Sequence, residues 1–307
     1  MIVIHTATDL KRGDRKACLA IGVFDGVHLG HQQIIRQTVA DARQHDGIAL
    51  VLTFDRHPNT VVAPDRVPPL IYSLPQKLRS VESLGSDALL LLRFDRAFSE
   101  QTGETFIRRL TRELGRIQSV CVGADFVFGH KRSGNVTLLK KLGAELAFMV
   151  HGIAAVSLDG QIVSSTRIRE AIRAGDLDAA SQMLGRAYSL AGRVVKGDQL
   201  GTQLGFPTAN LDVGGLVLPP NGVYAAHARV QGKTHRAVLN IGFRPTVQNP
   251  RPGIHVEVHL LDFSGELYGE DMEVTFVEKL REEQRFSSLS ALTSQIAQDV
   301  ARAQACF

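Results

Sequence analysis

Cysteine is scarce in this chain: Cys18, Cys121 and Cys306 are the three among 307 residues. They lie far apart, are odd in number and form no C-x-x-C pair, which argues against a disulfide framework and a zinc site. Long apolar runs are missing too. None approaches the roughly 20 residues a membrane-spanning helix needs. The start, where Asp9, Lys11, Arg12 and Asp14 follow a brief apolar stretch, lacks the architecture of a secretory signal. A cytoplasmic protein with no membrane partner is expected. Charge is not concentrated: the net charge is +4, and basic residues are dispersed apart from His130-Lys131-Arg132 and Arg167 with Arg169. Such a balance does not mark a nucleic-acid binder, and anionic small molecules such as ATP explain the clusters equally well. Internal repeats and low-complexity segments are absent, and self-association is left open.

What the chain does contain is alternation. Up to about residue 150, short apolar runs over 18–23, 48–54, 88–94, 119–123 and 145–150 read as strands. Helical patterns over 29–44, 74–84, 104–114 and 136–142 separate them. Strands joined by helices of this length predict right-handed crossovers and a doubly wound parallel sheet, a Rossmann-like α/β domain. A turn at Asp159-Gly160 follows, then Ser164-Ser165-Thr166 as the cap of a helix over 167–174, and a second helix ending near Gly185. Beyond Arg186 the pattern changes to strands over 188–195, 223–230, 234–241, 254–261 and 272–277, which predicts a small antiparallel β-barrel. A helix from about Ser288, with Leu289, Leu292, Ile296 and Val300 on one face, is expected to close the barrel's side. The expected domains are 1–185 and 186–307, each long enough to bury a core.

The densest signal is Gly22-Val23-Phe24-Asp25-Gly26-Val27-His28-Leu29-Gly30-His31, at the end of a buried strand and the start of a helix. In an open α/β sheet, ligands bind beyond the carboxyl ends of strands, where a helix N-terminus offers free N–H groups to phosphate. Gly26 and Gly30 let backbone approach a ligand, and His28 and His31 supply donors where a leaving diphosphate gathers charge. Taken alone, the two histidines also read as polar surface residues. Ser164, Ser165 and Thr166 offer hydroxyls and N–H groups at a second helix start, with Arg167 as a bidentate fork for a triphosphate. They also read as a plain N-cap. Thr208 and Asn210, two residues apart in an extended segment, present hard oxygens on one side that suit magnesium, or else form a turn and an edge strand. In His255-Val256-Glu257-Val258-His259, alternation puts Val256 and Val258 on the core side and Glu257 opposite, where it also reads as a solvated strand residue.

These strings carry a resemblance over essentially the whole chain. H-x-G-H at His28 to His31 resembles the nucleotidylyltransferase signature, and its Gly-x-Phe-Asp-Gly-x-His form narrows it to bacterial FAD synthetases. Thr53-Phe54-Asp55-Arg56-His57-Pro58, Gly123-Ala124-Asp125-Phe126-Val127-Phe128-Gly129 and Ser164-Ser165-Thr166-Arg167-Ile168-Arg169 are similar to that family's further motifs. Leu204-Gly205-Phe206-Pro207-Thr208-Ala209-Asn210 resembles riboflavin kinases, as do the strings around Asn240 to Thr246 and Leu267 to Gly269. Arg56, Asp95 and Thr202 depart from the family's usual residues, and the lysine-rich K-M-S-K-S loop of tRNA-charging relatives is missing.

The resemblance implies a bifunctional enzyme with magnesium and ATP that converts riboflavin to FMN in the barrel and FMN to FAD in the α/β domain. It implies catalytic roles for His28, His31, Arg167 and Glu257. ATP would be held by Gly22, Phe24, Asp25, Gly26, Gly30, Ser164, Ser165, Thr166, Gly197, Gly205 and Arg244. Asp55, His57, Asp125, Phe126 and Phe128 would hold flavin, and Thr208 and Asn210 the metal.

Overall fold

The computed structural model describes residues 1–11, 13–197, 199–243 and 254–307. The chain divides into two compact units, Met1–Ser165 and Thr166–Phe307.

The first unit runs β1 (Ile2–Ile4), β2 (Ala17–Ile21), α1 (Leu29–Gln44), β3 (Ile48–Phe54), α2 (Asn59–Val62), α3 (Leu74–Glu82) and β4 (Ala88–Leu92). It continues through α4 (Arg96–Ser99), α5 (Gly103–Leu114), β5 (Ile117–Gly123), β6 (Val127–Phe128), β7 (Gly134–Asn135), α6 (Val136–Leu146), β8 (Met149–Ile153), β9 (Ser157–Leu158) and β10 (Gln161–Ile162). Six strands form a parallel sheet in the order β1-β4-β3-β2-β5-β8. Every residue of β2 is buried, as a strand covered on both faces requires. Helix α5 turns Phe106, Ile107, Leu110 and Leu114 into one core with Leu19, Leu50 and Leu90, while Ile35 of α1 packs with Ala20, Val51 and Leu89 in another. The chain leaves β2 for β3 on one side and returns to β5 on the other. Strand β2 therefore ends at the topological switch point, where a crevice opens beyond the carboxyl ends.

Three local readings change. The expected strand over 145–150 is the end of α6 and the start of β8. Glu145 stays helical and takes a two-pronged bond from Arg108 of α5, at 2.7 Å to each oxygen, and Ala147 then ends the helix in the left-handed region at φ 60°. Strand β1, too short to show a period, pairs with β4 as an unforeseen edge. The helix expected over 167–174 is α7 (Ser165–Ala174), so Ser165 and Thr166 lie within its first turn.

The second unit holds the rest of α7, then α8 (Leu177–Leu184), β11 (Ser189–Val195), α9 (Leu200–Gln203), β12 (Ala209–Asp212), β13 (Gly222–Val230), β14 (Lys233–Phe243), β15 (Ile254–Leu260), β16 (Asp271–Arg281) and α10 (Leu289–Ala305). The sequence boundary at residues 185–186 lies beyond α8. Within the second unit, Gly175 at the end of α7 sits against Pro220, and Ser181 of α8 accepts the N–H of Tyr188 at 3.0 Å. The strands close a barrel in the order β11-β12-β15-β14-β13-β16, each neighbour antiparallel. Helix α10 packs on β13, β14 and β16, but its buried positions are Asp299 and Ala303, with Val300 partly buried and Leu289 61% exposed. A polar anchor sets that face: Arg281 of β16 donates from Nε and Nη2 to Asp299 at 2.7–3.0 Å.

Candidate active sites

The turn after β2 is held in a shape few sequences adopt. Phe24, Gly26 and Val27 all have left-handed backbone, at φ 52°, 76° and 41°. Asp25 stabilises it: its buried carboxylate accepts the N–H of Ile71 at 3.0 and 3.2 Å and that of Tyr72 at 3.4 Å. A Cβ on Gly26 would stand 3.0 Å from Ile71 Cδ1, so both its φ and its surroundings call for glycine. Gln32 Nε2 donates to Val27 O at 3.0 Å, and Ser165 Oγ donates to Asp25 O at 3.1 Å. Ser165, the first residue of α7, is thus tied to this turn with Ser164 just before it, while Thr166 and Arg167 belong to the second unit.

Out of the turn come His28 and His31, their rings stacked 3.6 Å apart at 22°, with Phe24 edge-on to His31 at 5.3 Å. Gly30 leaves the room, since a Cβ there would meet His28 Cε1 at 3.3 Å. Burial of the His31 ring, then the nearby charges of His28 and Lys77, hold it well below the ordinary imidazole range. It is therefore neutral at neutral pH and offers one N–H donor.

Lys77 is a site residue that the sequence reading missed. Its Nζ donates to Phe54 O at 2.9 Å and Thr53 Oγ1 at 3.3 Å, where β3 ends. Desolvation pulls its ammonium down to about 8, against the opposing pull of Asp25 and Asp55. A signal was there: Leu74, Lys77, Leu78 and Val81 follow the i, i+3, i+4, i+7 spacing of a buried helix face, with a lysine among apolar residues.

Beyond the same strand ends lies a cavity of about 650 Å³, lined by Gly22, Val23, Phe54, Phe98, Phe126 and Phe128 among others, with Lys131 and Arg132 at its margin. Phe126 and Phe128 stack 5.1 Å apart at 15°, and Phe128 also packs edge-on to Phe106 at 6.3 Å. The ribbon β6–β7 carries Phe128, with Phe126 just before it, and its Gly134 lies so close that a Cβ would stand 2.7 Å from the Phe128 ring. Asp55, His57 and Asp125 do not line this cavity. Burial would raise Asp55, but the N–H of Phe94 at 3.0 Å and the Arg56 guanidinium at 3.0 Å prevail and hold its carboxyl below the usual range. His57 Nδ1 accepts the N–H of Asn59 at 3.1 Å, and Asp125 is exposed.

In the barrel, register builds the second site. Glu257 of β15 stands directly opposite Asn210 of β12 on one side and Asn240 of β14 on the other. Opposed residues share a face, so one carboxylate and two amides line up on the polar side while Val256 and Val258, each 1% exposed, face the core. Asn240 was not singled out from sequence, although a lone amide between the fully buried Leu239 and Ile241 marks a polar face. The segment leading into β12 closes over this row. A Cβ on Gly197 would stand 2.2 Å from Asn210 Nδ2, and one on Gly201 would stand 2.4 Å from Phe206 O and 3.1 Å from Thr208 Oγ1. Gly205 turns with φ 86°, and His259 Nδ1 lies 2.8 Å from Pro207 O. Arg244 lies outside the described residues.

Comparison with known proteins addresses each half. The FAD synthetase family model matches residues 10–167 and the riboflavin kinase family model residues 184–307. A bifunctional riboflavin kinase/FMN adenylyltransferase of Escherichia coli (strain K12) is 38% identical over 309 residues, covering 100% of this chain and 98% of the relative. This chain belongs to that family. Two further relatives, from Haemophilus influenzae and Bacillus subtilis, are 37% and 34% identical, covering 99% and 97% of this chain and 97% and 94% of their own. A solved structure described as a macrolide-efflux protein from Streptococcus pneumoniae is 27% identical with a TM-score of 0.80, covering 99% of this chain and 98% of its own. Among the described residues here, no helix is long and apolar enough to cross a membrane. Within this riboflavin kinase/FMN adenylyltransferase family, the parallel-sheet unit corresponds to the FAD synthetase match and the barrel to the riboflavin kinase match.

Proposed function

We propose that the barrel transfers the γ-phosphoryl group of ATP to the ribityl hydroxyl of riboflavin, and that the parallel-sheet unit joins the FMN formed to a second ATP, giving FAD and pyrophosphate. The observation that carries this reading is the row Asn210, Glu257 and Asn240, a carboxylate flanked by two amides in a chain whose halves match the two enzyme families.

Glu257 accepts the hydroxyl proton, a general-base role worth about 10²–10⁴-fold. Thr208 and Asn210 present oxygens in a cradle that a Cβ at Gly197 or Gly201 would fill, and this donor set suits magnesium. Magnesium held there would supply charge neutralisation to the polyphosphate. Gly205 shapes the same loop, and Arg244 is assigned to phosphate.

In the other unit, catalysis is positioning and charge stabilisation without a covalent enzyme intermediate. The neutral His31 and its stacked neighbour His28 offer ring N–H donors to phosphate oxygens from the turn that Gly22, Phe24, Asp25, Gly26 and Gly30 shape. Ser164 and Ser165 lend hydroxyls and N–H groups, and the resemblance assigns Thr166 a hydroxyl and Arg167 a planar fork for the same phosphates. Phe126 supplies a face for the isoalloxazine ring, while Phe128 fixes Phe126 from behind. Asp55 and His57 act on the flavin end through the loop they brace, and Asp125, exposed beside Phe126 and outside the cavity lining, is assigned to the flavin by the resemblance. The protein works in the cytoplasm on small molecules, without nucleic acid.

Purified protein given riboflavin, ATP and magnesium is expected to form FMN and then FAD, resolved by chromatography. Formation of neither, or full yield in excess chelator, would contradict the reading.

A further inference from the structure

Lys77 carries a buried ammonium to the carboxyl edge of the sheet, and no step described so far uses it. Asp25 fixes the start of α3 through the N–H groups of Ile71 and Tyr72, and Ser73 and Gln76 close a capping box at its first turn. From there Nζ reaches Phe54 O at 2.9 Å, Thr53 Oγ1 at 3.3 Å and, in a longer contact, Val23 O at 3.5 Å. Thr53 Oγ1 itself donates to Val23 O at 3.0 Å. One cation therefore joins the ends of β2 and β3, and the two residues it holds, Val23 and Phe54, both line the cavity.

Three protein oxygens lie within 3.5 Å of Nζ, as many as an ammonium has hydrogens to donate. The titratable and charged groups facing it are Asp25, Asp55 with its partner Arg56, and the stacked pair His31 and His28. We propose that Lys77 is a positioning residue for FMN adenylylation: it pins the backbone of Val23 and Phe54 that walls the flavin cavity and sets a fixed positive charge beside the histidine pair. This rests on the adenylyltransferase reading above. Because burial draws the ammonium down to about 8, mild alkali removes both its charge and one of its three donors.

Wild type, Lys77→Met and Lys77→Arg are each assayed with FMN, ATP and magnesium, and separately with riboflavin, ATP and magnesium. Misplacement of a cavity wall predicts that Lys77→Met loses about 10²-fold in kcat/KM for adenylylation while riboflavin phosphorylation stays within about twofold. Lys77→Arg, which keeps the charge but not the compact three-point grip, falls between. By NMR of the labelled full chain, assigned with His31→Asn, the His31 titration midpoint rises in Lys77→Met because a repelling charge has gone, and stays put in Lys77→Arg. A lysine that merely props the fold would leave that midpoint unmoved. The wild-type pH profile needs no variant and decides the matter if Lys77→Met fails to fold: adenylylation declines as pH rises past about 8, and phosphorylation does not follow it. Normal adenylylation in Lys77→Met, an unmoved His31 midpoint, or a flat wild-type profile would overturn the proposal. Wild type that forms no FAD from FMN would overturn the adenylyltransferase reading itself.

Discussion

At the scale of single residues, the two sites place their key groups in opposite environments. Glu257 stands among amides on a polar face, whereas the neutral His31 is stacked on His28 beneath Phe24. The His31 ring has a folded-state pKa depressed below its unfolded value of about 6.5, so the unfolded chain binds the proton more readily. The stability gained by keeping it neutral is complete above that value and is lost as pH falls from there towards the folded pKa. Thermal melting against pH checks this: the midpoint of the adenylyltransferase unit should fall on acidification below about 6.5, less steeply in His31→Asn. Equal slopes would show that the ring is not desolvated in solution. Most such residues were legible because they punctuate strand ends with glycine, histidine or hydroxyls. Lys77 and Asn240 were not, since each is one polar residue inside an apolar pattern whose importance depends on what stands opposite.

Among elements, periodicity gave α1 and β3 their observed bounds, because a fully buried strand and an amphipathic helix leave strong signals. It failed where tertiary contacts decide. Glu145 is helical through its pairing with Arg108, and α10 was assigned an apolar face although a buried carboxylate anchors it. That anchor makes a prediction. Asp299→Ala leaves the Arg281 guanidinium, only 17% exposed, without its partner, and breaking a buried pair this way costs about 3–5 kcal/mol. Urea unfolding of the barrel unit should shift accordingly, with riboflavin phosphorylation becoming heat-labile and FMN adenylylation unaffected. An unchanged urea midpoint would mean that α10 is held by its apolar contacts alone.

For the whole molecule, the change from βα alternation to short hairpins disclosed two architectures in one chain; the compact division falls inside the first turn of α7, and the boundary expected from sequence lies after α8. Helical pattern alone does not say which core a connecting helix joins. The parallel sheet and the barrel each run their own reaction. The most direct test follows flavins over time in Glu257→Gln and His28→Ala. Given riboflavin, ATP and magnesium, His28→Ala should stop at FMN, while Glu257→Gln should form FMN slower by about 10²–10⁴-fold, yet convert supplied FMN to FAD at the wild-type rate. Loss of both reactions in either variant, or of neither, would contradict it.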